Sequence, residues 1–367
     1  MTNPMDRRVF LRRGAFGLVA VTALPSLLAA CGSDDDSTAT SSETTAPSGS
    51  KSEAPDYGTL DYQLSWIKNV EFAGEYIADT NGYYTEGGFS GVNLMAGGPN
   101  VQQDAIVASG KAFVGISAPD ISSSAILQGA DLVAVGAQYQ KNPFCVMSLA
   151  SNPINTPEDM YGKKIGVQSV NEPVWTAFIT AAGLDASKIN KVPAQFDPQP
   201  LVNGEVDGWF SFITNEPNTL KHNGIDTVTY LLNDHGYPMP SEIIVVRRET
   251  LTKERDKLKA LLVADIKGWR DSIADPTIAP KLVVENYGKD LGLIEEEQVL
   301  ESKAQNELIY TPDAEANGLF TLTDELIEEC IKSLGVAGIK MTADKLFDLS
   351  VLTEVYEEFP ELKEPIS

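Results

Sequence analysis

A set of aromatic, amide, hydroxyl and acidic side chains stands where short β-rich runs give way to loops or helices. Trp66, Asn69 and Phe72 follow the first such run. A flat ring beside an amide offers a planar heterocycle stacking area plus a donor and an acceptor. Gly97-Gly98-Pro99-Asn100 precedes a helical run, where glycines let backbone N–H groups approach a ligand and Asn100 can reach it. Ser117, Asp120 and Tyr139 follow later runs. Further on, Ser169, Asn171, Glu172 and Trp175 come after one run, and Asn215 and Glu216 after another. Asn171-Glu172-Pro173 recurs as Asn215-Glu216-Pro217, each with Pro at an early helical position. A carboxylate there accepts hydrogen bonds from an amino group or a protonated ring nitrogen. Ordinary alternatives stand beside these readings: Trp66 and Phe72 as core, Asn100 as a helix cap, Tyr139 as a surface residue, both Glu residues favoured by a helix dipole.

Missing residue types narrow the chemistry. No arginine lies between Arg13 and Arg247, whereas planar anions such as sulfonate, nitrate and carboxylate are commonly held by the guanidinium fork. His222 and His235 are the only histidines and lie in no metal-ligand spacing. Gly115-Ile116-Ser117-Ala118-Pro119 lacks the final glycine of a nucleophile elbow. No enzyme, cofactor or metal pattern stands out, and the mix of aromatics, amides and acids suits a neutral or cationic nitrogen heterocycle while leaving open an anion held by backbone N–H groups.

Alternating runs must position these side chains. Strands are expected at 62–66, 91–95, 112–117, 132–137 and 144–150, with helices at 70–81, 101–109 and 121–128. The plan restarts after Ala150, with strands at 164–168, 189–195, 207–213 and 241–246 and a helix at 173–182. This order predicts α/β sheets of parallel strands, whose ligands bind beyond the strands' carboxyl ends. Gly110–Gly115 and Gly204–Trp209 each read as a turn glycine before a buried strand, which suggests two lobes of similar plan. Helical runs at 251–274, 278–287, 295–306 and 323–334 are laced with Glu and Lys and read as outer helices with solvated faces.

The 367-residue chain carries a net charge of −24, which excludes a nucleic-acid partner that would need a basic face. Residues 1–30 read as a secretory signal peptide: Arg7-Arg8-Val9-Phe10-Leu11 has the form of a twin-arginine leader, and an apolar run follows. Leu28-Ala29-Ala30-Cys31 has the form of a lipoprotein processing box, so Cys31 is the expected lipidation site. Residues 31–57 comprise that cysteine and a polar linker too poor in apolar residues to fold. As a random coil its 26 residues after Cys31 span roughly 25–30 Å. Cys145 and Cys330 remain, and nothing in their spacing says whether they pair.

Leader, tether, two α/β lobes and a helical tail together resemble the solute-binding lipoprotein of an ABC importer. The closer resemblance is to the family of thiamine-pyrimidine, riboflavin, sulfonate and nitrate binders, often named for thiamine-precursor biosynthesis. It rests on Trp66–Gly74, Gly82–Gly88, Asn203–Asp207 and Thr214–Pro217. The resemblance implies a two-lobed periplasmic-binding-protein type II fold, with two crossover hinge strands and a helical C-terminal region, that closes over one small molecule. The first lobe is expected at 58–149 plus 242–367 and the second at 150–241, with crossings near Leu149–Pro153 and Pro240–Glu242. The implied partners are a small-molecule ligand, an ABC-transporter permease and the membrane, reached through the lipid on Cys31. The protein would be an exported monomer at the outer face of the cytoplasmic membrane. A thiamine-precursor pyrimidine is the expected ligand, with riboflavin or a sulfonate- or nitrate-type anion as alternatives. An adhesion or structural lipoprotein is the alternative of another class.

Overall fold

The computed structural model describes residues 55–366. The expected leader, Cys31 and nearly all of the linker lie outside the described residues. Residues 55–57, assigned above to the linker, are already docked: Tyr57 N–H donates to Gly88 O at 2.8 Å, and its ring lies 5.5 Å from that of Phe89.

Ten strands form two five-stranded sheets. The first contains β1 (Thr59–Gln63), β2 (Gly91–Met95), β3 (Val114–Ser117), β4 (Leu132–Tyr139) and β10 (Ser241–Arg247), in the order β2-β1-β3-β10-β4. The second contains β5 (Phe144–Leu149), β6 (Lys164–Gln168), β7 (Asn190–Ala194), β8 (Gly208–Phe212) and β9 (Thr227–Leu231), in the order β7-β6-β8-β5-β9. Central β3 is buried along its whole length, as a continuous apolar run should be when helices cover both faces, and so is β4, although it ends the strand order. Pro193 is tolerated because β7 is an edge strand. The other edge, β9, reads Thr-Val-Thr-Tyr-Leu and is mostly half-buried, and its weak apolar signal hid it from the sequence reading.

The expectation of parallel strands fails at two places. β10 runs antiparallel to β3 and β4, and β5 runs antiparallel to β8 and β9. Both follow a crossing between sheets. The chain leaves β4 at Tyr139 and enters β5, in the other sheet, at Phe144 after only four residues. The first crossing therefore lies at residues 140–143, earlier than Leu149–Pro153, and 144–149 belong to the second sheet. The return occupies residues 232–240, between β9 and β10, and ends beside the expected Pro240–Glu242.

Helices Ala73–Thr80 and Arg255–Ala274 pack against each other over the first sheet. Their approach depends on glycine, since a Cβ on Gly268 would stand 2.0 Å from the Gly74 carbonyl oxygen. The helix Glu295–Ile309 departs from the reading of outer helices with solvated faces. It packs against the turn Val70–Phe72, against β4 and against the helix Glu216–His222. It buries Gln298, Glu301, Ser302 and Gln305. A polar stripe at i, i+3, i+4 spacing looks like a solvated face until a polar surface is found opposite it. Cys145 and Cys330 are both buried and unpaired. No helix among the described residues is long and apolar enough to cross a membrane.

Candidate functional site

The two sheets turn the carboxyl ends of β1, β3, β6 and β8 toward a common cleft. Its space, counting the open mouth and the solvent in it, is about 480 Å³. From the first lobe come Ser65 and Trp66 after β1, Glu71, Gln103, Ser117 and Glu242. From the second come Gln168, Asn171, Phe210, Ser211, Phe212, Asn215 and Glu216, with Phe144 at the mouth of the first crossing.

Aromatic rings furnish the apolar wall. Phe144 stacks on Phe210 at 5.0 Å and meets Phe212 edge-on at 4.5 Å, so these rings hold one another in place. Trp66 is 8 % exposed, leaving one part of the indole to the cleft. The loop at Gly97 supports it, because Gly97 N–H donates to Trp66 O at 2.8 Å. A Cβ at Gly97 would lie 2.4 Å from the Ser65 carbonyl carbon, so this close approach requires glycine. Two residues further on, Pro99 O accepts from Val170 N–H of the other lobe at 2.9 Å, a backbone latch across the cleft.

The polar wall sets three carboxyl groups among amides and hydroxyls. Glu216 heads its helix and is 5 % exposed. Its Oε2 accepts from Ser211 Oγ at 2.6 Å and from Phe212 N–H at 3.2 Å. Burial pushes its pKa up to about 6, opposed in part by the Ser211 hydrogen bond. Ser65 Oγ bridges Glu71 Oε1 at 3.2 Å and Glu242 Oε2 at 2.8 Å. Gln168 donates to Phe210 O at 3.0 Å and accepts from Asn171 Nδ2 at 3.1 Å, which orients the Asn171 amide. No lysine, arginine or histidine lines the cleft, and the described residues contain no cluster of metal-ligating side chains.

Trp66, Ser117, Asn171, Asn215 and Glu216 therefore meet in one cleft, and the other expected residues lie elsewhere. Asn69 is buried behind it, donating to Glu301 Oε1 at 2.8 Å, while Gln298 and Gln305 clamp the backbone of Val70. Phe72 is wholly buried in the first lobe's core. Tyr139 is buried too, its hydroxyl donating to Gln305 Oε1 at 3.0 Å. Asp120 accepts from Tyr237 OH at 3.0 Å and from Ile121 N–H, occupied with closing its own helix start. Asn100 faces solvent near Gln195. Ser169 is exposed, Glu172 is exposed and paired with Lys191, and Trp175 packs edge-on against Phe210 in the core. Tyr139 is the last residue of β4 and the others follow a strand, yet none of them lines the cleft.

Sequence reasoning missed Glu71, Glu242, Gln103 and the Phe144, Phe210 and Phe212 rings. The two acids sit inside runs read as helix and strand, and the phenylalanines looked like core. Alternation along β8 held one signal: Phe210 and Phe212 share a face.

A family model described as NMT1/THI5 like matches residues 69–279. The formylaminopyrimidine-binding protein of Halalkalibacterium halodurans is 27 % identical over 236 residues, covering 62 % of this chain and 70 % of that protein. The riboflavin-binding protein RibY of Chloroflexus aurantiacus is 25 % identical over 316 residues, covering 82 % of this chain and 88 % of that protein. Among solved structures, the periplasmic aliphatic sulphonate binding protein SsuA of Escherichia coli superposes with a TM-score of 0.57 at 15 % identity. That match covers 84 % of this chain and 89 % of SsuA. The fold is that of the periplasmic binding proteins.

Proposed function

We propose that this chain, which belongs to the NMT1/THI5-like family, is the extracytoplasmic substrate-binding component of an ABC importer and captures a small amine-bearing nitrogen heterocycle, such as a thiamine-precursor pyrimidine. One observation carries the reading: the cleft combines four aromatic rings with three carboxyl groups, Glu71, Glu216 and Glu242, and no basic side chain. Rings of that kind take a planar molecule by stacking, and acceptors without donors of positive charge take N–H groups. The same lining argues against a sulfonate or nitrate, which would meet like charge in a desolvated site. The formylaminopyrimidine-binding relative fits this chemistry by name.

Capture proceeds by lobe closure about the two crossings, without chemical change to the ligand, and the closed pair of lobes is the surface a permease reads. The latch between Val170 and Pro99 holds the closed state. Titration calorimetry with a 4-aminopyrimidine, riboflavin and an alkanesulfonate tests the reading. Saturable binding of the aminopyrimidine alone is the expected result. Preference for the sulfonate, or turnover of any bound compound, would sink it. Riboflavin binding alone would favour the flavin alternative.

The lipid anchor at Cys31 belongs to the same proposal, as does a monomeric protein held at the outer face of the cytoplasmic membrane. Cys31→Ser is expected to move the protein from the membrane fraction to the soluble fraction with its ligand affinity unchanged. Retention at the membrane, with the leader removed normally, would exclude lipidation.

A further inference from the structure

Glu71 and Glu242 reach the cleft from separate segments, one in the turn Val70–Phe72 and one at the second position of β10. Each is 3 % exposed. The Ser65 hydroxyl lies between them, 3.2 Å from Glu71 Oε1 and 2.8 Å from Glu242 Oε2. A hydroxyl has one proton and can satisfy only one of two carboxylates at a time. Other titratable groups around the pair bring no positive charge. They are Glu75 and Tyr76 on the helix Ala73–Thr80, Tyr139 on β4, Glu216 in the second lobe and Glu301 on the helix Glu295–Ile309. Two buried carboxylates cannot both stay charged there without a cation, so the empty cleft keeps a proton on the pair. Burial raises both carboxyls above their ordinary range, and charge on Glu242 and Glu301 raises Glu71 further.

A separate residue on another helix also points to a missing donor. Gln103 is 2 % exposed and lines the same cleft, and its Oε1 has no hydrogen-bond partner among the described residues. A buried amide oxygen without a partner is costly unless a ligand supplies an N–H. Glu242 adds a strained backbone, with φ at +48° in the left-handed region that a residue with a Cβ seldom adopts and that recurs at ligand clamps and switch regions.

We propose that Glu71 and Glu242 form a subsite for one cationic nitrogen group of the ligand, an ammonium or an amidinium, and that this group displaces the proton the pair holds in the empty protein. The inference rests on the reading of the cleft as a site for a small nitrogen heterocycle. It adds that the ligand is a cation and says where the charge sits. The exchange balances: the carboxylic O–H gives its proton to solvent, and a ligand N–H takes over as donor to the same oxygens. The pair goes from one negative charge to two as the ligand brings one positive charge.

Two 4-aminopyrimidines differing in one arm test this, the first with a neutral hydroxymethyl arm and the second with an aminomethyl arm that is charged at pH 7. The full exported chain is titrated with each by calorimetry at pH 7, in phosphate and in Tris, whose ionisation enthalpies differ. The aminomethyl compound should bind tenfold or more tighter, as charge-assisted hydrogen bonds predict. Its heats in the two buffers should differ by an amount that corresponds to release of close to one proton. Glu71→Gln and Glu242→Gln should each bring the affinity ratio of the two compounds down toward one and abolish the buffer dependence. Equal affinity for the two arms, or identical heats in both buffers, overturns the subsite while leaving the heterocycle reading intact. Binding of neither compound overturns both. The buffer comparison uses the unaltered protein and does not depend on the folding of any variant.

Discussion

Glu216→Gln is expected to weaken binding of an amine-bearing heterocycle tenfold or more above pH 6, while the melting temperature holds or rises. The carboxyl Oε2 is occupied by Ser211 Oγ and Phe212 N–H, whereas Oε1 has no described partner and the side chain lines the cleft. Glutamine keeps an oxygen for Ser211 and Phe212 but removes the charge that a ligand N–H would meet. Charge-assisted hydrogen bonds contribute about 1.5–3 kcal/mol, which is the tenfold or greater loss. With a pKa of about 6 the group is charged at pH 7–8, and the buried charge opposes folding there. Affinity in the unaltered protein should accordingly rise as pH increases through 6. A helix-dipole role alone would instead cost roughly 0.3–1 kcal/mol of stability and leave affinity unchanged. Calorimetry and thermal melts of both proteins at pH 5 and pH 8 distinguish the two. A lowered melting point with unaltered affinity would remove Glu216 from the site.

The ligand-free protein should melt on the order of 10 °C higher at pH 5 than at pH 8. Burial raises Asp104, Asp120 and Glu216 each to about 6, from 3.8, 3.8 and 4.5. A carboxyl whose folded pKa is raised binds its proton more tightly in the folded state. Its contribution is fully present below the unfolded value and is lost as pH rises through the folded one. The window is therefore about pH 4 to 7. Over pH 5 to 8 these three groups together remove about 4 kcal/mol, and each kcal/mol moves a chain of this size by roughly 2–4 °C. Glu71, Glu301 and Asp265, also raised by burial, act in the same direction. Asp120→Asn should recover a few degrees at pH 8 and little at pH 5, because Asn still accepts from Ile121 N–H and can meet the Tyr237 hydroxyl. Calorimetric melts across the range test this. A melting temperature that is flat or rises from pH 5 to 8 would show that the buried acids are compensated.

Much of the architecture was legible in the chain because local periodicity and turn residues specify it. Strands at 91–95 and 164–168 fall where pattern places them, and Pro173 and Pro217 occupy the early helical positions expected of them. The rule that ligands bind beyond strand ends brought Trp66, Ser117, Asn171, Asn215 and Glu216 to the cleft. The absence of arginine through the cleft-forming region, read from composition, agrees with a lining that has no base.

Tertiary structure alone decided the rest. Which way a side chain faces near a strand end depends on local backbone angles and on the partners that tertiary packing brings up, so Asn69, Asp120 and Tyr139 were drawn into hydrogen bonds behind the cleft while Ser117 lines it. The antiparallel placement of β5 and β10 follows from where a short crossing lands, which is a pairing between distant segments. Glu71 and Glu242 are 171 residues apart in the chain, and either alone reads as a solvated acid. Only the sheet order that sets β10 beside β3, and the turn after β1 that carries Ser65, puts both carboxyls on one hydroxyl. Periodicity records which residues leave water, but which buried charges come to share a proton is set by contacts between segments that no local pattern encodes.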